Sequence, residues 1–167
     1  MSSRSTNLRK IAFAGVAAAF IFIGTQIRVP TAIGYINLGD AVILISSFIL
    51  GPWALLPAAI GSALSDLLAG YAQYIIPTFL IKGLMGFAAG VLLNRSGVTV
   101  LRKLITGIIA EIIMVAGYFV FESLPFMYGP EAAAGSLVFN LVQGIAAIVI
   151  FIPVTSIPAI KKQRLKA

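Results

Sequence analysis

The 167-residue sequence contains no cysteine and no histidine. Without cysteine there is no disulfide and no thiolate site, and without histidine the commonest metal ligand and proton shuttle is missing. Redox and zinc chemistry are thereby set aside, and neither a metal nor a cofactor is expected. Charge is scarce as well: 10% of residues are Asp, Glu, Lys or Arg, and only five of these are acidic. Apolar residues take their place. They make up 60% of the chain, and the mean hydropathy is +1.05, more apolar surface than a water-soluble core of this size hides. The sequence reads as an all-α integral membrane protein with a single domain over residues 1–167. Six spans of about 20 residues use roughly 120 of them, which leaves only tails and tight loops outside the membrane.

Proline and glycine divide the apolar sequence into predicted helices near 9–27, 38–50, 53–70, 77–93, 103–124 and 132–157. The uncharged stretch from Ala41 to Ser65 is interrupted by Gly51-Pro52 and then Pro57, so two helices joined by a tight turn are expected there. The first run follows Arg4, Arg9 and Lys10 in the manner of a signal peptide, but no small-residue cleavage site stands before Arg28, and a retained first helix is expected. Arg4, Arg9, Lys10, Arg95, Arg102, Lys103, Lys161, Lys162, Arg164 and Lys166 fall on one side of such a bundle; Arg28, Glu122 and Glu131 fall on the other. The positive-inside rule then requires an even number of helices with both termini cytoplasmic. It also accounts for the net charge of +7 as topology, without nucleic acid. The runs 38–50 and 77–93 are short for a hydrocarbon core of about 30 Å, which implies local thinning or burial against neighbouring protein. No internal repeat of the inverted-repeat transporter kind is evident.

At about 1.5 Å per residue, the polar intramembrane residues gather toward the outside. Asn37 and Asp40 open helix 2, Asp66 lies near the outer end of helix 3, and Lys82 lies about a turn inside helix 4. Glu111 is near the middle of helix 5, Tyr118 is nearer its outer end, and Asn140 and Gln143 share a face of helix 6. An ionised side chain near the bilayer centre costs on the order of 2.5–3.5 kcal/mol, so such residues need partners, water or a ligand. Each has a structural reading beside the functional one. Asp40 is placed to favour the helix-2 dipole or to touch a ligand, and Asp66 and Lys82 could pair across helices 3 and 4. Glu111 could be protonated and bonded to the backbone or to a helix-6 amide, while Asn140 and Gln143 could be interhelical glue. Tyr35, Tyr71 and Tyr74 stand where interfacial aromatic belts occur, or where a loop could lid a ring-shaped ligand. Small residues form a second feature, in Ala14 to Ala19 of helix 1 and at Gly83, Gly86, Ala89 and Gly90 of helix 4. Helix 4 is expected to use them inside the chain and helix 1 to face an external partner as well.

Four motifs carry a family resemblance: Gly34-Tyr35-Ile36-Asn37-Leu38-Gly39-Asp40, Leu50-Gly51-Pro52, Gly61-Ser62-Ala63-Leu64-Ser65-Asp66-Leu67-Leu68-Ala69-Gly70-Tyr71, and Ile81-Lys82-Gly83-Leu84-Met85-Gly86. The sequence resembles a substrate-binding S component of an energy-coupling factor (ECF) vitamin transporter. Within that group it is similar to the riboflavin-transporter-like members that include hydroxymethylpyrimidine and pyridoxine S components. The resemblance implies a multi-pass protein of a prokaryotic plasma membrane with a vitamin site toward the outside. It implies docking of helix 1, at Ala14 and Ala18, on a transmembrane coupling subunit, and two cytoplasmic ATPases that supply the energy for toppling in the membrane. The segment from Arg28 to Asn37 would be the gating loop, with Pro30 and Gly34 suited to a mobile connection. The chain itself carries no phosphate-binding Gly-x-x-x-x-Gly-Lys-Ser/Thr loop, so ATP hydrolysis is expected in the partners and not here. The competing class is a stand-alone ion-coupled secondary transporter of a small polar heterocycle, with Glu111 or Asp66 carrying protons. A site with one lysine, a few carboxylates, amides and aromatics suits a small polar heteroaromatic ring better than a highly anionic vitamin, and tight binding calls for an enclosed pocket.

Overall fold

A computed structural model describes residues 3–32 and 34–164. Ile33 of the expected gating loop and Lys166 of the basic tail lie outside the described residues, as does the side chain of Arg4. The first helix, α1 (Ser3–Gln26), leads into an antiparallel hairpin of β1 (Arg28–Pro30) and β2 (Tyr35–Asn37). Two short helices follow, α2 (Gly39–Leu50) and α3 (Leu55–Leu68), joined by a tight helical turn over Gly51–Ala54. Another such turn, Ala72–Tyr74, leads into α4 (Ile75–Leu93), and the chain continues through α5 (Val100–Glu122), α6 (Pro130–Val154) and the short α7 (Pro158–Lys162).

The stretch from Gly39 to Leu68 is apolar enough to be one 30-residue span. It is two helices because Gly51 adopts φ 61°, a left-handed conformation that ends α2, and Pro52 follows at the start of the turn. The contacts to α1 show that the two run in opposite directions. The start of α2 packs on the outer end of α1, where a Cβ on Gly24 would meet Leu38, Gly39 and Val42. The start of α3 lies at the other end, with the Lys10 ammonium over the Trp53 ring at 5.6 Å. Six helices therefore cross, and the basic ends of α1, α4, α5 and α6 share one face, the cytoplasmic one by the positive-inside rule. At 12 and 14 residues, α2 and α3 are shorter than a bilayer requires. They are sheltered instead by α1, α4 and α6, and Ile43, Leu44, Ala58 and Ala59 are fully buried.

Close approach explains the glycine pattern. A Cβ on Gly86 would sit 2.8 Å from Ala58 Cβ and 2.9 Å from the Ala54 carbonyl oxygen, and a Cβ on Gly90 would collide with the Gly51 backbone. The small residues of α4 are thus spent within the chain, against α3 and its preceding turn. Large apolar side chains such as Leu80, Ile112, Val138 and Val149 remain exposed around the bundle, as a lipid-facing surface demands.

Three features differ from the sequence expectation. The connection from Arg28 to Asn37 is a paired hairpin and not a free loop, with Arg28 opposite Asn37, Val29 opposite Ile36 and Pro30 opposite Tyr35. The last membrane helix ends at Val154, one residue past Pro153, which removes a backbone donor from its last turn, and Pro158 opens a separate short helix at the position where a missing N–H costs nothing. The N-terminal helix begins at Ser3, well before the apolar run, since polar residues extend a helix wherever they need not be buried.

Candidate functional site

The outer half of the bundle holds a cavity that is partly open to the outside. Its lining comes from the hairpin and from five of the six membrane helices, all but α2: Thr25 of α1, Gly34, Tyr35 and Asn37 of the hairpin, Ser62 and Asp66 of α3, Tyr71 and Tyr74, Thr78 and Lys82 of α4, Tyr118 and Glu122 of α5, and Asn140 and Gln143 of α6. Counting its mouth and the open space above it, the empty volume is about 490 Å³.

The floor is a buried network that joins three helices and the hairpin. Lys82 forms an ion pair with Asp40 Oδ1, and Gln143 Nε2 donates to Asp40 Oδ2 at 2.5 Å. Gln143 Oε1 in turn accepts from the Asn37 backbone N–H at 2.7 Å and from Asn37 Nδ2 at 3.1 Å. Asn37 Oδ1 accepts from the Gly39 N–H at 2.8 Å at the entry to α2, whose first turn holds Asp40. Lys82 also stands 5.3 Å from the centre of the Tyr118 ring.

The wall is aromatic. Tyr35 and Tyr71 meet edge to face at 5.2 Å, Tyr71 and Tyr74 at 6.2 Å, and Tyr74 and Tyr118 stand 6.1 Å apart. The hairpin closes onto α3 through Tyr35 Oη, which donates to Asp66 Oδ1 at 2.5 Å. Burial first, and the neighbouring Asp66 carboxylate second, push the Tyr35 phenol well above its usual pKa, so it remains a donor. Tyr74 Oη donates to Glu122 Oε1 at 2.9 Å, and Ser136 Oγ donates to Glu122 Oε2.

Of the ten residues singled out as substrate contacts, eight meet at this cavity: Asn37, Asp66, Tyr71, Tyr74, Lys82, Tyr118, Asn140 and Gln143. Asp40 and Glu111 do not line it. Asp40 is fully buried behind Lys82 and Gln143, where it neutralises the lysine. Glu111 packs against Gly144, and neither of its carboxylate oxygens has a hydrogen-bond partner. The expected bond from Glu111 to a helix-6 amide is absent, because the Gln143 amide is held by Asp40 and Asn37. The expected Asp66–Lys82 pair is likewise corrected, since Lys82 turns to Asp40 and Asp66 takes Tyr35. Ala14 and Ala18 are half-buried, with the Ala18 carbonyl against Gly61 of α3, whereas Ala12, Gly15 and Ala19 are the more exposed small residues of α1.

Thr25, Gly34, Tyr35, Ser62, Thr78 and Glu122 line the cavity without being among those ten, although the sequence marks Tyr35 as a lid candidate. Two of them are within reach of helical spacing: Ser62 precedes Asp66 by four residues and Thr78 precedes Lys82 by four. Glu122 is a third, four residues after Tyr118 on α5.

With this geometry in place, similarity to known proteins decides the family. The sequence matches the family described as ECF-type riboflavin transporter, S component, over residues 5–162. The chain belongs to this family. Its members are the substrate-binding components of transporters and not enzymes, and this S component is a multi-pass protein of the prokaryotic plasma membrane. Among curated relatives, it is 31% identical over 128 residues to an uncharacterised protein of Pyrococcus woesei, covering 75% of this chain and 82% of that one. It is 29% identical over 149 residues to the thiamine precursor transporter HmpT of Lactococcus lactis subsp. cremoris (strain MG1363), covering 86% of this chain and 84% of that one. Together they support a vitamin-binding S component.

Proposed function

We propose that this S component is the high-affinity binding subunit of an ECF importer for a small B vitamin or precursor, with hydroxymethylpyrimidine first and pyridoxine second. The observation that carries the reading is the outward cavity itself. It is walled by tyrosines, floored by the Lys82–Asp40–Gln143–Asn37 network and latched by the hairpin through Tyr35. Flat apolar faces suit a heteroaromatic ring, and the amides and lysine suit its ring nitrogens and hydroxyl. The similarity to a thiamine precursor transporter supports the same substrate class. Riboflavin ranks next, on the strength of the family description.

In this reading α1 docks on a transmembrane coupling subunit through the face that half-buried Ala14 and Ala18 border and exposed Gly15 and Ala19 continue, and two cytoplasmic ATPases drive toppling and release inside. The purified chain is therefore expected to bind without an ion gradient or ATP. Thermal denaturation in detergent against a panel of B vitamins and precursors tests this. A ligand at 100 times its dissociation constant stabilises by about 2.7 kcal/mol, so one strong hit names the substrate. A panel without a hit contradicts the reading.

A further inference from the structure

The hydrogen-bonding groups around the cavity are unevenly engaged, and the unevenness limits which ligand atoms they can take. On the floor every side-chain acceptor atom is already engaged: both Asp40 oxygens are held by Lys82 and Gln143, and the side-chain oxygens of Gln143 and Asn37 already accept from Asn37 and Gly39. What the floor still presents is N–H, because an ammonium carries three donors and each amide two.

The α3 side is the reverse. Asp66 is only 5% exposed, lines the cavity and uses Oδ1 to accept from Tyr35, while its Oδ2 is buried with no hydrogen-bond partner. The nearby Thr78 hydroxyl pairs with Tyr118 Oη at 2.9 Å, where either oxygen can donate, and it makes no hydrogen bond of good geometry to Asp66 Oδ2. The other carboxylate of the wall, Glu122, has both oxygens occupied by Tyr74 and Ser136. Among the described residues, Asp66 Oδ2 is thus the wall's one carboxylate oxygen still lacking a donor. The formal charges also point to a basic ring. Asp40 cancels Lys82, which leaves Asp66 and Glu122 in the wall against the one charge of Arg28, whose guanidinium stands over the Tyr35 ring at 5.2 Å from its centre, a balance of one negative charge.

We infer that Asp66 Oδ2 is the subsite for an exocyclic amino group, and that the ligand is an amino-substituted heteroaromatic ring whose nitrogen or hydroxyl acceptors face Lys82, Asn37 and Gln143. The inference rests on the binding-subunit reading above and narrows it. A ring that places an oxo group or an anionic substituent at the same position would set acceptor against acceptor, so it is excluded by the unmet Asp66 oxygen and not by size.

The test is calorimetric titration of the purified full chain with hydroxymethylpyrimidine, which carries the amino group, and with the analogue in which an oxo group replaces it. The wild-type chain is expected to bind the amino ring at least about 10-fold more tightly, the effect of one hydrogen bond to a charged acceptor. Asp66→Asn puts an N–H on that side chain and should abolish or reverse the preference. Tyr35→Phe, which frees Oδ1 but leaves Oδ2 untouched, should keep it. Equal affinities in the wild-type chain overturn the subsite without needing any variant, and so does an unchanged preference in Asp66→Asn. If neither ring binds while another vitamin does, the amino-group subsite fails and the binding-subunit reading survives. If no vitamin binds, both fail.

Discussion

Lys82 on α4 gives its charge to Asp40 on α2 and not to Asp66 on α3, although all three open toward the same end of the bundle. Both partners are nearly inaccessible, 4% and 0% exposed at the side chain. Removing one leaves the other charged and alone in a dry interior, which costs about 3–5 kcal/mol. Lys82→Ala or Asp40→Ala should therefore lower thermal stability sharply. The double variant Lys82→Met with Asp40→Asn should recover most of that loss but still bind ligand weakly, because Lys82 lines the cavity. Full binding by the double variant would assign the pair to folding alone.

The bond from Tyr35 to Asp66 is the side-chain bond that latches the hairpin to α3. Tyr35→Phe should raise the ligand dissociation rate by about 10-fold, one charge-assisted hydrogen bond, with a smaller change in association. The raised Tyr35 pKa sets the pH response. A group whose folded pKa lies above its unfolded value of about 10 stabilises fully below pH 10 and loses that contribution as pH rises toward the folded value. The dissociation rate should show no Tyr35-dependent change between about pH 6 and 9. Stopped-flow quenching of tyrosine fluorescence would measure it, and a latch that loosens within that range would contradict the assignment.

On α1, half-buried Ala14 and Ala18 sit at the margin of a face that continues through exposed Gly15 and Ala19. Ala14→Trp or Gly15→Trp should leave ligand affinity unchanged and abolish co-purification with the coupling subunit, because a bulky ring holds the helices apart. Normal assembly by both variants would place the docking face elsewhere.

Arg164 ties the cytoplasmic ends together. Its guanidinium donates to the carbonyl oxygens of Phe48 at 3.2 Å, Arg95 at 3.0 Å and Leu93, and it stacks over the Phe48 ring. Phe48 is in the last turn of α2, Leu93 ends α4 and Arg95 lies just beyond it; the Leu93 oxygen also accepts from the Arg95 N–H at 2.7 Å, so the guanidinium supplements the backbone at these helix ends. Arg164→Ala should reduce stability by about 1–3 kcal/mol without changing ligand affinity, as measured by thermal denaturation with and without ligand.

Much of this was legible in the sequence. Hydropathy, the Gly51-Pro52 break and the distribution of basic residues gave the six-helix architecture, because each reports a local or bilayer-scale cost. The polar residues of the outer half were visible for the same reason: a charged group in an apolar helix has to be accounted for. Which polar group meets which was not legible. Asp40, Asp66 and Glu111 are all carboxylates at plausible depth, and only packing decides that one neutralises Lys82, one faces the cavity and one stays unpartnered behind Gly144. The hairpin was hidden as well, since its three paired residues on each strand are too few for an alternating pattern.

The measurement that bears most directly on the central claim is uptake into proteoliposomes holding this chain alone or together with the proposed coupling subunit and ATPases. The expected result is ligand binding by the chain alone, with accumulation only when the full module and ATP are present. Accumulation by the chain alone, driven by a proton or sodium gradient and lost in Glu111→Gln, would contradict it and identify a secondary transporter.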